Sequence, residues 1–362
     1  MIDNLVATNI LEAYRSGLLQ RTASSCRQHT FGSLLQATVS RRIGLRERLV
    51  LRKVWQGSGK GLVFVEQGHL AEARSHFSQA RDLLGSTPAT SECRLLARSV
   101  LEAAEAYLDY KSCDFPQART RVYVSMDADL ELELIYSYDL LQVHRLQSAH
   151  NLIRIDFREG AFERAFCIAG GILAYLSGLA PAVPLHYAWC ARTLAECPRY
   201  LLSALADQVT QDVAIALEKF TDAVCWKSFR HFAAIDHLRL DQPVPGSGTL
   251  EWIALKEAFL AGDYKGYLLK VPRFLAKGRS GNPALWYSSI LDVLEICGIS
   301  GDQTTSAASC LRAAILRDSS SWTQLPLGLA PRLKRYRQVL ESVEGSRRVG
   351  HEAIASDSPA TR

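Results

Sequence analysis

Apolar residues recur along this chain at the spacing of one helix face. Between Ala71 and Leu84 (AEARSHFSQARDLL), Ala73, Phe77, Ala80 and Leu84 fall at i, i+4, i+7 and i+11, with Arg74, Gln79 and Asp82 off the stripe. The same period runs through Leu95–Tyr107, Leu140–Phe157, Phe162–Leu176, Leu201–Phe220, Leu250–Leu260 and Ser306–Leu316. Arg121–Met126 and Leu130–Tyr138 alternate over short runs, but acids and leucines mix there without turn residues, so both read as helix. The expectation is an all-α fold.

Four junctions between these helices share a pattern: Gly68–Ala73 (GHLAEA), Cys113–Ala118 (CDFPQA), Gly160–Ala165 (GAFERA) and Gly262–Tyr267 (GDYKGY). Each opens on a small residue, and three place a bulky aromatic two positions later, Phe115, Phe162 and Tyr264. A glycine there can adopt the left-handed conformation that closes a helix, and an alanine five places on lets the next helix approach closely. The segment around residues 54–87 then resembles a tetratricopeptide repeat (TPR). Gly61, Gly68, Ala73, Phe77 and Ala80 stand at the small, glycine, alanine, aromatic and alanine positions of such a repeat. Later units keep only the elbow, with Ala118, Gly160, Ala165, Gly262 and Tyr264, and are longer than the family's roughly 34 residues. The resemblance implies a TPR-like right-handed helical-hairpin solenoid with degenerate, elongated repeats, and an interaction surface for a protein partner. The lysine and asparagine that open a chaperone-tail clamp in some family members are replaced here by Ser58 and Leu62, which disfavours that role.

Helix breakers set the expected organisation: an N-terminal helical cap over 1–44, TPR-like repeats over 45–240, a C-terminal helical block over 250–342 and a disordered tail over 343–362. Asp241–Thr249 (DQPVPGSGT) holds two prolines and two glycines and reads as a linker, and Gly178–Pro184 reads as a loop. Hydrophobic residues at 48% and charged residues at 22% exclude wholesale disorder, and no run is long and apolar enough for a membrane helix. The nine cysteines form no C-x-x-C pair, which with the unremarkable N-terminus predicts reduced, mostly buried thiols and a cytoplasmic setting.

Little chemistry is written in the chain. Gln56–Gly61 (QGSGKG) lacks the upstream glycine and the following Ser/Thr of a phosphate loop and reads as a small-residue packing surface. His144 and His150, like His231 and His237, are six residues apart, where helix-borne metal ligands need three or four. His186 and Cys190 lie at i, i+4 without an orienting acid. Asp127, Asp129, Glu131 and Glu133 lack the register of a calcium loop and read as a solvated acidic face. No catalytic residue, metal ligand or cofactor is implied.

Charge is uneven. Residues 1–60 hold ten Lys/Arg against three Asp/Glu, and much of this excess lies in Arg41–Lys53 (RRIGLRERLVLRK). In one continuous helix Ile43, Leu45, Leu49 and Leu51 would face the core, while Arg41, Arg48 and Arg52 would share a partner-binding face. Arg332 and Arg335 make a second basic candidate. The leading expectation is a non-enzymatic scaffold or regulatory adaptor that binds a partner peptide or helix. The alternatives are a nucleic-acid-associated helical repeat that uses residues 41–53, and an enzyme of unrecognised type; a membrane partner is not expected.

Overall fold

The structure is a computed structural model that describes residues 2–20, 31–219, 223–234, 247–279, 282–299, 307–323 and 325–338. Within them every regular element is a helix. The runs at Arg121–Met126 and Leu130–Tyr136 belong to one 22-residue helix. The chain divides into two compact units: a larger one, Ser25–Val209 with Asp222–Gly246, and a smaller one, Met1–Ser24, Thr210–Thr221 and Ser247–Arg362. The stretch expected as a single N-terminal cap is therefore divided between the units. Of the expected linker, residues 241–246 lie outside the described residues, while Ser247–Thr249 open a helix. The expected tail also lies outside them.

The larger unit holds α2 (Phe31–Arg42), α3 (Leu45–Glu66), α4 (Leu70–Ser86), α5 (Ser91–Lys111), α6 (Phe115–Tyr136), α7 (Leu141–Glu159), α8 (Phe162–Leu176), α9 (Ala191–Glu196), the start of α10 (Arg199–Lys219) and α11 (Ala223–Phe232). Consecutive helices pack as pairs: α3 on α4, α5 on α6, α7 on α8. Between pairs, α3 lies on α5, α6 on α7 and α8 on α11.

Local chemistry builds the elbows. Gly68, Cys113, Gly160 and Gly262 have φ of 84°, 62°, 82° and 74°. The next residue donates its N–H back across three of these caps: His69 to Phe64 O, Asp114 to Asp109 O and Ala161 to Asp156 O, at 2.8, 2.9 and 2.9 Å. Asp114 and Asp263 then cap the following helices by accepting from Gln117 N and Gly266 N. Ala73, Ala80, Ala118 and Ala165 are buried where the second helix meets the first, and half-buried Tyr264 packs against Phe259.

The sequence Gln56–Gly61 sits mid-way along α3. A β-carbon on Gly57 would touch Ala80, and one on Gly61 would overlap the Phe77 ring. The small residues let α4 lie close to α3, so packing rather than phosphate binding explains them.

The smaller unit holds α1 (Asn4–Leu19), the end of α10, α12 (Ser247–Leu260), α13 (Tyr264–Leu275), α14 (Pro283–Ile299), α15 (Ala307–Asp318) and α16 (residues 330–338). Here α1 packs on α13 and α15. Tyr14 stacks on Trp286 at 5.8 Å and accepts a hydrogen bond from Trp322 Nε1, and Trp286 Nε1 donates to Leu275 O. Among the described residues no helix is long and apolar enough to cross a membrane.

Candidate functional site

The break at Ile43–Gly44 divides the basic segment. Gly44 is extended at φ −63° and ψ 156°, so Arg41 closes α2 while Arg48 and Arg52 stand one turn apart on α3. Ile43 and Leu51 are buried as expected, but Leu45 and Leu49 are 67% and 51% exposed. All three leucines lie on α3, and at 100° per residue Leu45 and Leu49 fall roughly 120–160° around that helix from Leu51, on the side away from its buried stripe of Leu51, Val54, Ser58, Gly61 and Val65. Leu45 and Leu49 line an open groove of about 530 Å³ between the C-terminal half of α2 and the N-terminal half of α3. Gln36, Val39 and Ser40 form one wall, and Leu45, Leu49, Arg52 and Gln56 run along the other.

Two hydrogen-bond donors on this groove are shielded from solvent without a partner among the described residues, Arg48 Nε and Trp55 Nε1. Arg48 Nη1 donates to Ser40 O at 3.2 Å and bridges the two helices. Glu47, the acid within this basic run, turns away and accepts from Thr90 N at 2.6 Å. Arg42 is likewise engaged, over the Tyr138 ring and within 3.7 Å of Glu92.

The other basic candidates separate. Arg332 is buried in the smaller unit, where Nη1 lies 2.6 Å from Glu218 Oε2 and 2.9 Å from Asp292 Oδ1. Lys256 Nζ donates to both Asp292 oxygens at 3.0 and 3.1 Å. These charges join α10, α12, α14 and α16, so Arg332 is a packing residue and is not available to a partner. Arg335 is exposed. The burial of Arg332 is a tertiary fact, since only its neighbours decide which face of α16 meets α14.

The acidic run is also corrected. Asp127 and Glu131 are exposed, but Asp129 is fully buried and Glu133 nearly so. Asp129 Oδ2 lies 2.7 Å from His144 Nδ1, and Ser99 Oγ donates to Asp129 Oδ1 at 2.5 Å. Phe31 stacks on the imidazole. Burial pushes the His144 pKa down, but the charge and hydrogen bond of Asp129 outweigh it and hold the imidazole above its ordinary range. One turn along, Glu133 holds the buried Arg145 through a two-pronged bond of 2.6 and 2.7 Å, and Arg145 lies over the Trp189 ring. The i, i+4 pair Asp129/Glu133 on α6 thus meets the adjacent residues His144 and Arg145 on α7, a pairing that nothing in the local sequence signals.

Ser99, Asp129 and His144 bring a hydroxyl, a carboxylate and an imidazole together, yet Ser99 and Asp129 meet the same ring nitrogen. A nucleophilic relay needs the hydroxyl on one nitrogen and the acid on the other. This geometry is that of a buried hydrogen-bond network between α5, α6 and α7.

His186 and Cys190 lie in the loop before α9, outside any helix, and no hydrogen bond joins them. The loop is strapped down instead: Tyr187 donates to Asp127, Arg145 to Ala188 O, and Gln142 pairs with the Cys190 backbone. Among the eight described cysteines the expected burial holds for Cys93, Cys197 and Cys297, while Cys167 and Cys225 are half-buried. Cys113, Cys190 and Cys310 are exposed because they sit at an elbow, in a loop and on an outer helix face, and Cys26 lies outside the described residues. Among the described residues, no group of three or more His, Cys, Asp or Glu side chains is arranged to hold a metal ion. No family model, curated protein or solved structure matches this chain.

Proposed function

We propose that the chain is a non-enzymatic interaction module built as a TPR-like helical-hairpin solenoid with degenerate, elongated repeats, with the α2–α3 groove as its docking surface. The hairpin reading is supported by three left-handed elbows at equivalent places in the larger unit and by alanines buried at each. The docking reading rests on one observation: Leu45 and Leu49, one helical turn apart and exposed, flank Arg48 and Arg52 in an open groove. Apolar side chains rimmed by cationic groups are the makings of a protein interface. A cytoplasmic setting belongs to the same reading, supported by the free state of every described cysteine.

A photo-crosslinking residue at position 49 tests the docking surface, with one at exposed Glu72 on α4 as the control. The expected result is a single defined adduct from position 49, identified by mass spectrometry and abolished by Leu45→Ser. Equal adducts from both positions, or none from position 49, would remove the groove as the docking surface.

A further inference from the structure

Resting on the docking reading above, we infer that the α2–α3 groove takes an acidic amphipathic helix, with two apolar residues one turn apart between carboxylates. The groove dictates the shape. Leu45, Leu49, Arg52 and Gln56 fall at i, i+4, i+7 and i+11, one stripe of α3 about 16 Å long at 1.5 Å per residue. A partner helix of about three turns matches that length, and its i, i+4 apolar pair would cover Leu45 and Leu49 while Val39 and Leu51 form the floor.

Charge dictates the chemistry. Among the described residues, Arg48 and Arg52 are the charged ones lining the groove, and both are positive. Arg52 is exposed with no ion-pair partner among the described residues, and half-buried Arg48 stands one turn before it on the same helix. A carboxylate answers that charge, because it accepts from several N–H groups at once and neutralises the guanidinium.

Other occupants fit less well. Residues 21–30 (RTASSCRQHT) carry two arginines, no acid and no large apolar side chain, so neither their charge nor their hydrophobicity complements the groove. A second copy presenting the same groove would set arginines against arginines. A nucleic acid would pair its phosphates with Arg48 and Arg52 but would leave Leu45 and Leu49 uncovered, and Trp55, the aromatic in the groove lining, is half-buried.

The test uses the full chain and a fluorescein-labelled helical peptide of about 16 residues, with leucines spaced by four and flanked by glutamates, read by anisotropy. Saturable one-to-one binding is expected. Arg52→Glu should weaken it at least about tenfold and Leu49→Ser at least about fivefold, while Lys60→Glu, on the same helix outside the groove, should change it less than about twofold. All three positions are exposed, and unchanged helical circular dichroism and melting confirm that each variant folds. Binding that survives both groove substitutions, equal binding of a peptide with lysines for the glutamates, or tighter binding of an RNA oligomer with steep loss in salt would each overturn the inference. If the peptide fails while the position-49 crosslink persists, the acidic-helix assignment falls and the docking surface stands; if both fail, both fall.

Discussion

Gly61 on α3 and Phe77 on α4 pack so closely that a β-carbon on the glycine would stand 2.4 Å from Cε1 of the ring. The helix pair depends on that missing methyl. Gly61→Ala should gain up to ~1 kcal/mol of helix propensity and lose more through overpacking, which typically costs about 1–3 kcal/mol. A net destabilisation of roughly 1–2 kcal/mol is expected in urea unfolding. Adding Phe77→Leu should recover part of the loss, since the two residues share one space. A variant as stable as the parent would contradict the close packing.

Cys113 does with a β-carbon what Gly68 and Gly160 do without one. An L-residue in the left-handed region costs about 1–2 kcal/mol, so Cys113→Gly, after its greater chain entropy, should stabilise the protein by ~0.5–1 kcal/mol. Gly68 has open space around its α-carbon, so Gly68→Ala should cost about 1 kcal/mol from conformation alone. Opposite shifts of the two urea midpoints are the expected result; shifts of the same sign would remove the argument.

Arg332 balances Glu218 and Asp292 in a buried setting where Lys256 is the other cation. Arg332→Met leaves two carboxylates facing one ammonium and should destabilise by about 3–5 kcal/mol. Arg335→Met, on the exposed side of the same helix, should stay within about 0.5 kcal/mol. Thermal melts of the two variants compare them directly, and a small effect at Arg332 would mean the network carries little stability.

His144 links pH to stability. Its native pKa is held above the ordinary 6.5 by Asp129, against burial, so the folded chain holds this proton more tightly than the unfolded one. The stabilisation is complete below the unfolded value and is lost as pH rises through the raised native value. The difference in melting temperature between the parent and His144→Gln should therefore shrink as the pH is raised from about 6.5, the unfolded value, through the alkaline side. A difference that stays constant or grows over this window would exclude a charged Asp129–His144 pair.

The helices and their elbows were legible in the sequence because both are local. A stripe at i, i+4, i+7 depends on residues within two turns, and a left-handed cap on one backbone position, so Ala73, Phe77, Ala80 and the junctions at 68, 113, 160 and 262 could be placed without knowing their neighbours. Tertiary structure decided which polar faces went inside. Asp129 and Glu133 looked like a solvated face until α7 set His144 and Arg145 against them, and Arg332 looked like a free cation until α10 and α14 set Glu218 and Asp292 against it. It also decided what stayed out: α3 packs its stripe from Leu51 to Val65 inward, and Leu45 and Leu49 lie on the other side of the same helix. A charge is buried only where a second chain segment supplies its counter-charge, and a leucine only where one supplies its cover; both partners lie too far along the chain for periodicity to reveal them.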